Sequence, residues 1–165
     1  MKSYLTSYNE LFASNAADTL RIDRIEIPII QRDYAQGRIS DSVVRIRNNF
    51  LDVLYGAVTT GSPVTLDFVY GDVADGVLRP LDGQQRLTTL FLLHWYLAWQ
   101  AKMLHLDLGW KQFQYATRPS ARRFCECLVQ WSPTGELTLS DWFKDQELFL
   151  HTWQNDPTIE SMLVM

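Results

Sequence analysis

The chain has 165 residues, of which 47% are hydrophobic, 13% aromatic and 21% charged, a profile that supplies one buried core and excludes a disordered or fibrous protein. Lys and Arg number 15 against 19 Asp and Glu, for a net charge of −4, so bulk charge gives no support to non-specific nucleic-acid binding. The longest uncharged stretch, residues 87–101, includes two Thr, a His and a Gln; it falls short of the roughly 20 apolar residues a membrane span needs. The start, Met1-Lys2-Ser3-Tyr4, lacks a basic-plus-apolar signal layout, and the expected location is the cytoplasm.

In chain order, Leu5, Tyr8, Leu11 and Phe12 have helical spacing and predict a helix over 3–14. Residues 20–30 alternate, first Leu20 and Ile22, then Ile25, Ile27 and Ile29, as a strand, which Pro28 is expected to place at a sheet edge. Ser40 and Asp41 cap an amphipathic helix carrying Val43, Ile46, Phe50, Leu54 and Val58, and Gly61-Ser62-Pro63 ends it. Val64 to Tyr70 alternate, a loop holding Gly71 and Gly76 follows, and Val77 to Leu81 return, so 64–81 reads as a hairpin. Residues 87–104 are apolar nearly all the way round and predict a central helix. Pro119 opens a helix running to Trp131, Leu139 to Trp153 form an amphipathic one, and Asp156-Pro157 cap a last helix near the end of the sequence, where a truncated extension is expected.

Cys125 and Cys127 lie two apart on a predicted helix, about 200° round its axis, so they form neither a disulfide framework nor half a metal site. The histidines His94, His105 and His151 show no ligand spacing. Trp95, Tyr96, Trp99, Trp142 and Trp153 read as core.

The chemistry concentrates where a short strand hands over to the apolar helix, at Asp82-Gly83-Gln84-Gln85-Arg86. The first N–H groups of a helix have no intrahelical acceptors and carry the positive end of its dipole, which favours anions. Gly83 allows close backbone approach, Arg86 offers a forked donor suited to phosphate, and Gln84, Gln85, Thr88 and Thr89 add neutral donors and acceptors. A second reading stands beside this one: Asp82 with Gln85 three residues on is the pattern of a capping box, which serves helix initiation alone. Another Gln-Arg pair, Gln31-Arg32, follows the first strand with Asp33 and Tyr34. If Arg32 and Arg86 face one pocket, their repulsion calls for an anion between them or for nearby carboxylates such as Asp33 or Asp82. A third cluster, Arg118, Arg122 and Arg123, reads either as a solvated face balanced by Glu126 or as a contact to DNA phosphate. No G-x-x-x-x-G-K-[ST] motif is present, which excludes a P-loop enzyme.

The order Ile27-Pro28-x-x-Gln31-Arg32-x-Tyr34, then Leu81-Asp82-Gly83-Gln84-Gln85-Arg86-Leu87-Thr88-Thr89-Leu90, resembles the N-terminal domain of GmrSD-type modification-dependent restriction enzymes. Tyr115-x-Thr117-Arg118-x-Ser120 and Trp153-x-Asn155-Asp156-Pro157-Thr158 extend the resemblance from about Ile22 to the end. Where many relatives have a Trp two residues after the Tyr, this chain has Gln36. The resemblance implies an α+β fold: a small ParB/sulfiredoxin-like sheet with a hairpin, packed on a mainly helical extension, here divided as 1–104 and 105–165. It also implies a nucleoside triphosphate ligand of unspecified base, with Mg²⁺ held by Asp82. Nucleotide contacts would fall to Gln31, Arg32, Tyr34, Gly83, Arg86 and Thr88, and hydrolysis to Asp82, Gln84, Gln85 and Arg86. The implied role is a sensor or regulatory NTPase in a restriction or phage-defence system, acting on DNA through a full-length protein with a C-terminal nuclease domain. The alternative is a non-catalytic DNA-binding or modification-reading module, with Arg118, Arg122 and Arg123 on DNA phosphate.

Overall fold

Ile25 and Ile27, two apart and each no more than 2% exposed, form the inward face of strand β1, Arg24–Ile27, and Ile22 is buried just before it. A computed structural model of the chain describes residues 3–13, 22–28, 40–135, 138–147, 149 and 153–165. Among these residues the fold is α+β, with β2 (Tyr70–Ala74), β3 (Val77–Asp82) and β4 (Phe113–Tyr115) joining β1 in a four-stranded sheet of order β2-β3-β1-β4. β1 runs parallel to β3 and to β4, and β2 is antiparallel to β3.

The edge position expected for the first strand is corrected by this order, because β1 is interior. Pro28 follows the last strand residue, so its missing N–H removes nothing from the ladder. The hairpin is present, but its first strand is Tyr70–Ala74 and not 64–70. Asp75 and Gly76 both have positive φ, 51° and 73°, and so form the tight reversal that twists two strands together. Gly71 belongs to β2, at an irregularity in the ladder next to Pro80, where a Cβ would lie 2.3 Å from the Arg79 carbonyl oxygen.

Helix α1, Asp41–Thr60, starts after Ser40 and ends at Gly61 as the sequence predicts. Helix α2, Gln84–Gln100, stops short of 104 at a left-handed Lys102, with φ 55°. It crosses the sheet with Phe91 fully buried and stacked on Phe113 at 4.6 Å between centroids. Helix α3, Pro119–Leu128, packs beside β4, and Trp95 of α2 donates its indole N–H to the Leu128 carbonyl at 2.6 Å. Both cysteines sit on α3 and both are buried. Of the helix expected over 139–153, the first part is α4, Leu139–Lys144, capped by Thr138, and residues 148 and 150–152 lie outside the described residues. Helix α5, Pro157–Val164, is capped by Asp156, whose Oδ1 accepts from the Thr158 and Ile159 N–H groups.

The helix expected over 3–14 is replaced by a single 3-10 turn, Glu10–Phe12. Ser7 N–H donates to the Glu10 carboxylate at 2.9 Å and Glu10 N–H to the Ser7 hydroxyl at 3.3 Å, a reciprocal closure that starts the turn at Ser7 and leaves Leu5 91% exposed. The sheet takes strands from both sides of position 104, and one continuous core runs from Tyr8 to Met162.

Candidate functional site

The Asp82–Arg86 segment occupies the junction of β3 and α2. Gly83 is the N-cap of α2, with φ 86°, and no side chain caps the helix there. This corrects the capping-box reading, since Asp82 ends β3 and its carboxylate goes elsewhere. Asp82 Oδ2 accepts from Arg86 Nη2 at 3.1 Å. The same Nη2 donates to the Phe68 carbonyl at 2.9 Å, and Nη1 lies 3.5 Å from Asp67 Oδ2. Arg86 Nε is buried and has no hydrogen-bond partner among the described residues. Arg86 therefore spans three groups, two of them on the segment before β2, and keeps one buried donor unused.

That segment is locked onto the turn from a second direction. A Cβ on Gly83 would lie 2.6 Å from Val69 Cγ2 and 3.1 Å from Val69 Cα, so the absence of a side chain is what lets residues 67–69 lie across the helix start. Asp67 and Phe68 were not legible as site residues, because the alternation of Val64 to Tyr70 reads as a strand and nothing local marks a carbonyl that will meet Arg86.

The remaining motif residues divide by depth. Gln84 and Gln85 are half-buried at the first turn of α2, with the Gln84 amide donating to the Pro80 carbonyl at 3.0 Å. Thr88 is 1% exposed and its hydroxyl lies 3.2 Å from the Tyr115 hydroxyl, so it joins α2 to β4 beneath the site. Gln31, Arg32 and Tyr34, with the expected convergence of Arg32 on Arg86, lie outside the described residues. Arg86 does find a balancing carboxylate in Asp82, and Asp67 adds a second.

The third arginine cluster is split in its duties. Arg122 Nε donates to the Tyr115 carbonyl at 2.7 Å and its Nη2 to the Ala116 carbonyl, which fastens the end of β4 to α3. Arg123 pairs with Glu126 at 3.2 Å, and Arg118 is the N-cap residue of α3.

Burial shifts several ionisable groups away from the motif. His94, half-buried on α2, is held below its usual value by burial, against the pull of its hydrogen bond to the Leu90 carbonyl. Burial pushes Tyr8 and the Cys125 thiol well up, which makes Cys125 an inert core thiol. Burial would raise Glu26, but hydrogen bonds from Gln114 and Arg79 and the charges of Arg79 and Arg24 outweigh it, and its carboxyl sits low. Among the described residues, no three His, Cys, Asp or Glu side chains converge as a metal site, and no helix is long and apolar enough to cross a membrane. A groove of about 460 Å³ runs between α1, α2 and α5, lined by apolar groups such as Leu54, Val58, Leu93 and Met162, and it shares no residue with Asp82–Arg86.

An interior β1, a hairpin, and a glycine-initiated helix bearing an arginine define an α+β domain with a strand-turn-helix junction. The sequence matches the family described as GmrSD restriction endonuclease, N-terminal domain, over residues 9–162, and the chain belongs to that family, which makes it a component of a restriction or phage-defence system. No curated protein and no solved structure matches it.

Proposed function

We infer that the chain binds a nucleoside triphosphate at the β3–α2 junction and hydrolyses it, serving as the regulatory unit of a restriction enzyme whose full-length form carries a nuclease domain. The observation that supports this is Arg86: a charged fork at the N-terminus of α2, with a buried Nε that has no partner among the described residues. Its tie to Asp67 is weak. Asp67 is 90% exposed and 3.5 Å away, and such surface pairs contribute about 0–1 kcal/mol, less than a charge-assisted bidentate phosphate contact provides. A phosphate oxygen therefore displaces Asp67 at little cost, while the helix dipole adds to the attraction.

Gln31, Arg32 and Tyr34 are assigned to the same ligand by the family resemblance. Gln84 or Gln85 would orient the attacking water, an assignment their half-buried place on the first turn of α2 allows. Two carboxylates facing one guanidinium suit a Mg²⁺–phosphate pair, since Mg²⁺ takes one or two carboxylates and completes its shell with phosphate and water. Asp82, with Asp67, would hold that ion, which would offset phosphate charge.

Calorimetric titration with Mg²⁺-nucleotides and an assay of phosphate release test the reading. Arg86→Ala should lower triphosphate affinity by about 30-fold or more, the equivalent of roughly 2 kcal/mol. Arg86→Lys should recover only part, because an ammonium cannot make the forked contact. Unchanged affinity in Arg86→Ala would overturn the assignment.

A further inference from the structure

Phe68 and Tyr70 are 72% and 48% exposed. Single exposed apolar side chains are ordinary, but these two are neighbours, with ring centroids 6.0 Å apart and planes tilted by 35°. Leu81, 60% exposed, is carried by β3, the strand that pairs with β2. A clustered aromatic patch of this kind marks a contact surface. Its position ties it to one site. Tyr70 is the register partner of Asp82, the Phe68 carbonyl accepts from Arg86, and Val69 between them packs against Gly83.

We propose that Phe68 and Tyr70 are the base platform of this junction, on which the nucleobase stacks while the phosphates lie at Arg86 and the start of α2. This rests on the nucleotide reading above. A base inserted between two rings needs about 3.5 Å of clearance on each side, or roughly 7 Å between centroids. At 6.0 Å and 35° the pair is too close to be a clamp, so the base lies on its outer face. Stacking of this kind accepts any base, since every base has a π face. Within the pair only the Tyr70 hydroxyl offers a hydrogen bond to a base edge. Overlap area then sets the preference, and purines bind ahead of pyrimidines with little distinction between adenine and guanine.

The test is calorimetric titration of the chain with ATP, CTP and inorganic tripolyphosphate, each with Mg²⁺. ATP should bind about tenfold or more tightly than tripolyphosphate, and more tightly than CTP. Phe68→Ala and Tyr70→Ala should each lower ATP affinity more than tripolyphosphate affinity, and so erode that ratio. Phe68→Leu, which keeps apolar bulk without a π face, should behave like Phe68→Ala, and Phe68→Tyr should retain the ratio. Arg86→Ala should weaken both ligands together. Tripolyphosphate binding with an unaltered ATP ratio in the Phe68 and Tyr70 variants would overturn the platform alone and leave the patch as a docking surface for another protein. Failure of the unaltered chain to bind either ligand would overturn the phosphate site and the platform with it.

Discussion

Replacing Gly83 by alanine isolates the contact on which the site depends, because a second glycine supplies an internal reference. Gly61 and Gly83 both have left-handed backbone, φ 67° and 86°, and an L-residue there costs about 1–2 kcal/mol. They differ in surroundings. A Cβ at Gly61 meets nothing within 4 Å, whereas at Gly83 it lies 2.6 Å from Val69 Cγ2 and 3.1 Å from Val69 Cα. The side-chain atom can rotate away, but the Cα cannot, so residues 67–69 must shift. Overpacking of this kind adds roughly 1–3 kcal/mol. Urea denaturation should therefore give Gly61→Ala a cost of about 1–2 kcal/mol and Gly83→Ala about 2–5 kcal/mol. Asparagine sharpens the contrast, since it tolerates the left-handed region: Gly61→Asn should be nearly neutral and Gly83→Asn still costly. The displacement should also pull the Phe68 carbonyl away from Arg86 and leave the guanidinium unpositioned, so triphosphate affinity should fall in the Gly83 variants only. Equal destabilisation by the two alanine substitutions would refute the close approach of this segment to the helix start.

Arg122→Ala should lower stability by about 2–3 kcal/mol in chemical denaturation, because the Tyr115 and Ala116 carbonyls lose a charged donor. Its DNA affinity should be unchanged, and a selective loss of DNA binding at native stability would return this residue to nucleic-acid contact. His94 predicts a pH effect of defined sign. Its folded value lies below the ordinary 6.5, so its contribution to stability is complete above that pH and is lost as pH falls through the folded value. Thermal midpoints of the unaltered chain should drop as pH falls below the ordinary 6.5, and His94→Gln should flatten that drop; an identical pH profile in the variant would remove His94 as the cause.

Where one physical rule decides an element, the sequence was readable. The boundaries of α1 follow from Ser40 and Gly61, and the start of α5 from Asp156 and Pro157. The alternation of Ile25 and Ile27 located β1 but not its neighbours, because strand order depends on contacts distant in sequence. Residues 64–70 went astray for a related reason. Alternation of Val64, Leu66, Phe68 and Tyr70 matches a half-buried strand, yet Val64, Phe68 and Tyr70 are all exposed, and pairing begins only at Tyr70. The apolar spacing of residues 3–14 was overridden by the local closure between Ser7 and Glu10.

The site was half legible for a reason built into its geometry. The strand-turn-helix junction is contiguous in sequence, so Asp82 to Arg86 could be placed at a helix start from spacing alone. The groups that hold Arg86 come from a segment 18 residues earlier, and their contribution is a backbone carbonyl and a mostly exposed carboxylate, neither of which leaves a pattern in composition. Gly83 links the two halves. In sequence it reads as freedom for the ligand to approach the backbone, but the structure shows the approach already taken by Val69. A ligand at this junction must therefore meet Arg86 at the margin of the 67–70 segment. That margin is where Asp67, the most weakly held partner of Arg86, and the exposed rings of Phe68 and Tyr70 lie together, so displacing one carboxylate would open the phosphate contact beside a stacking surface that is already exposed.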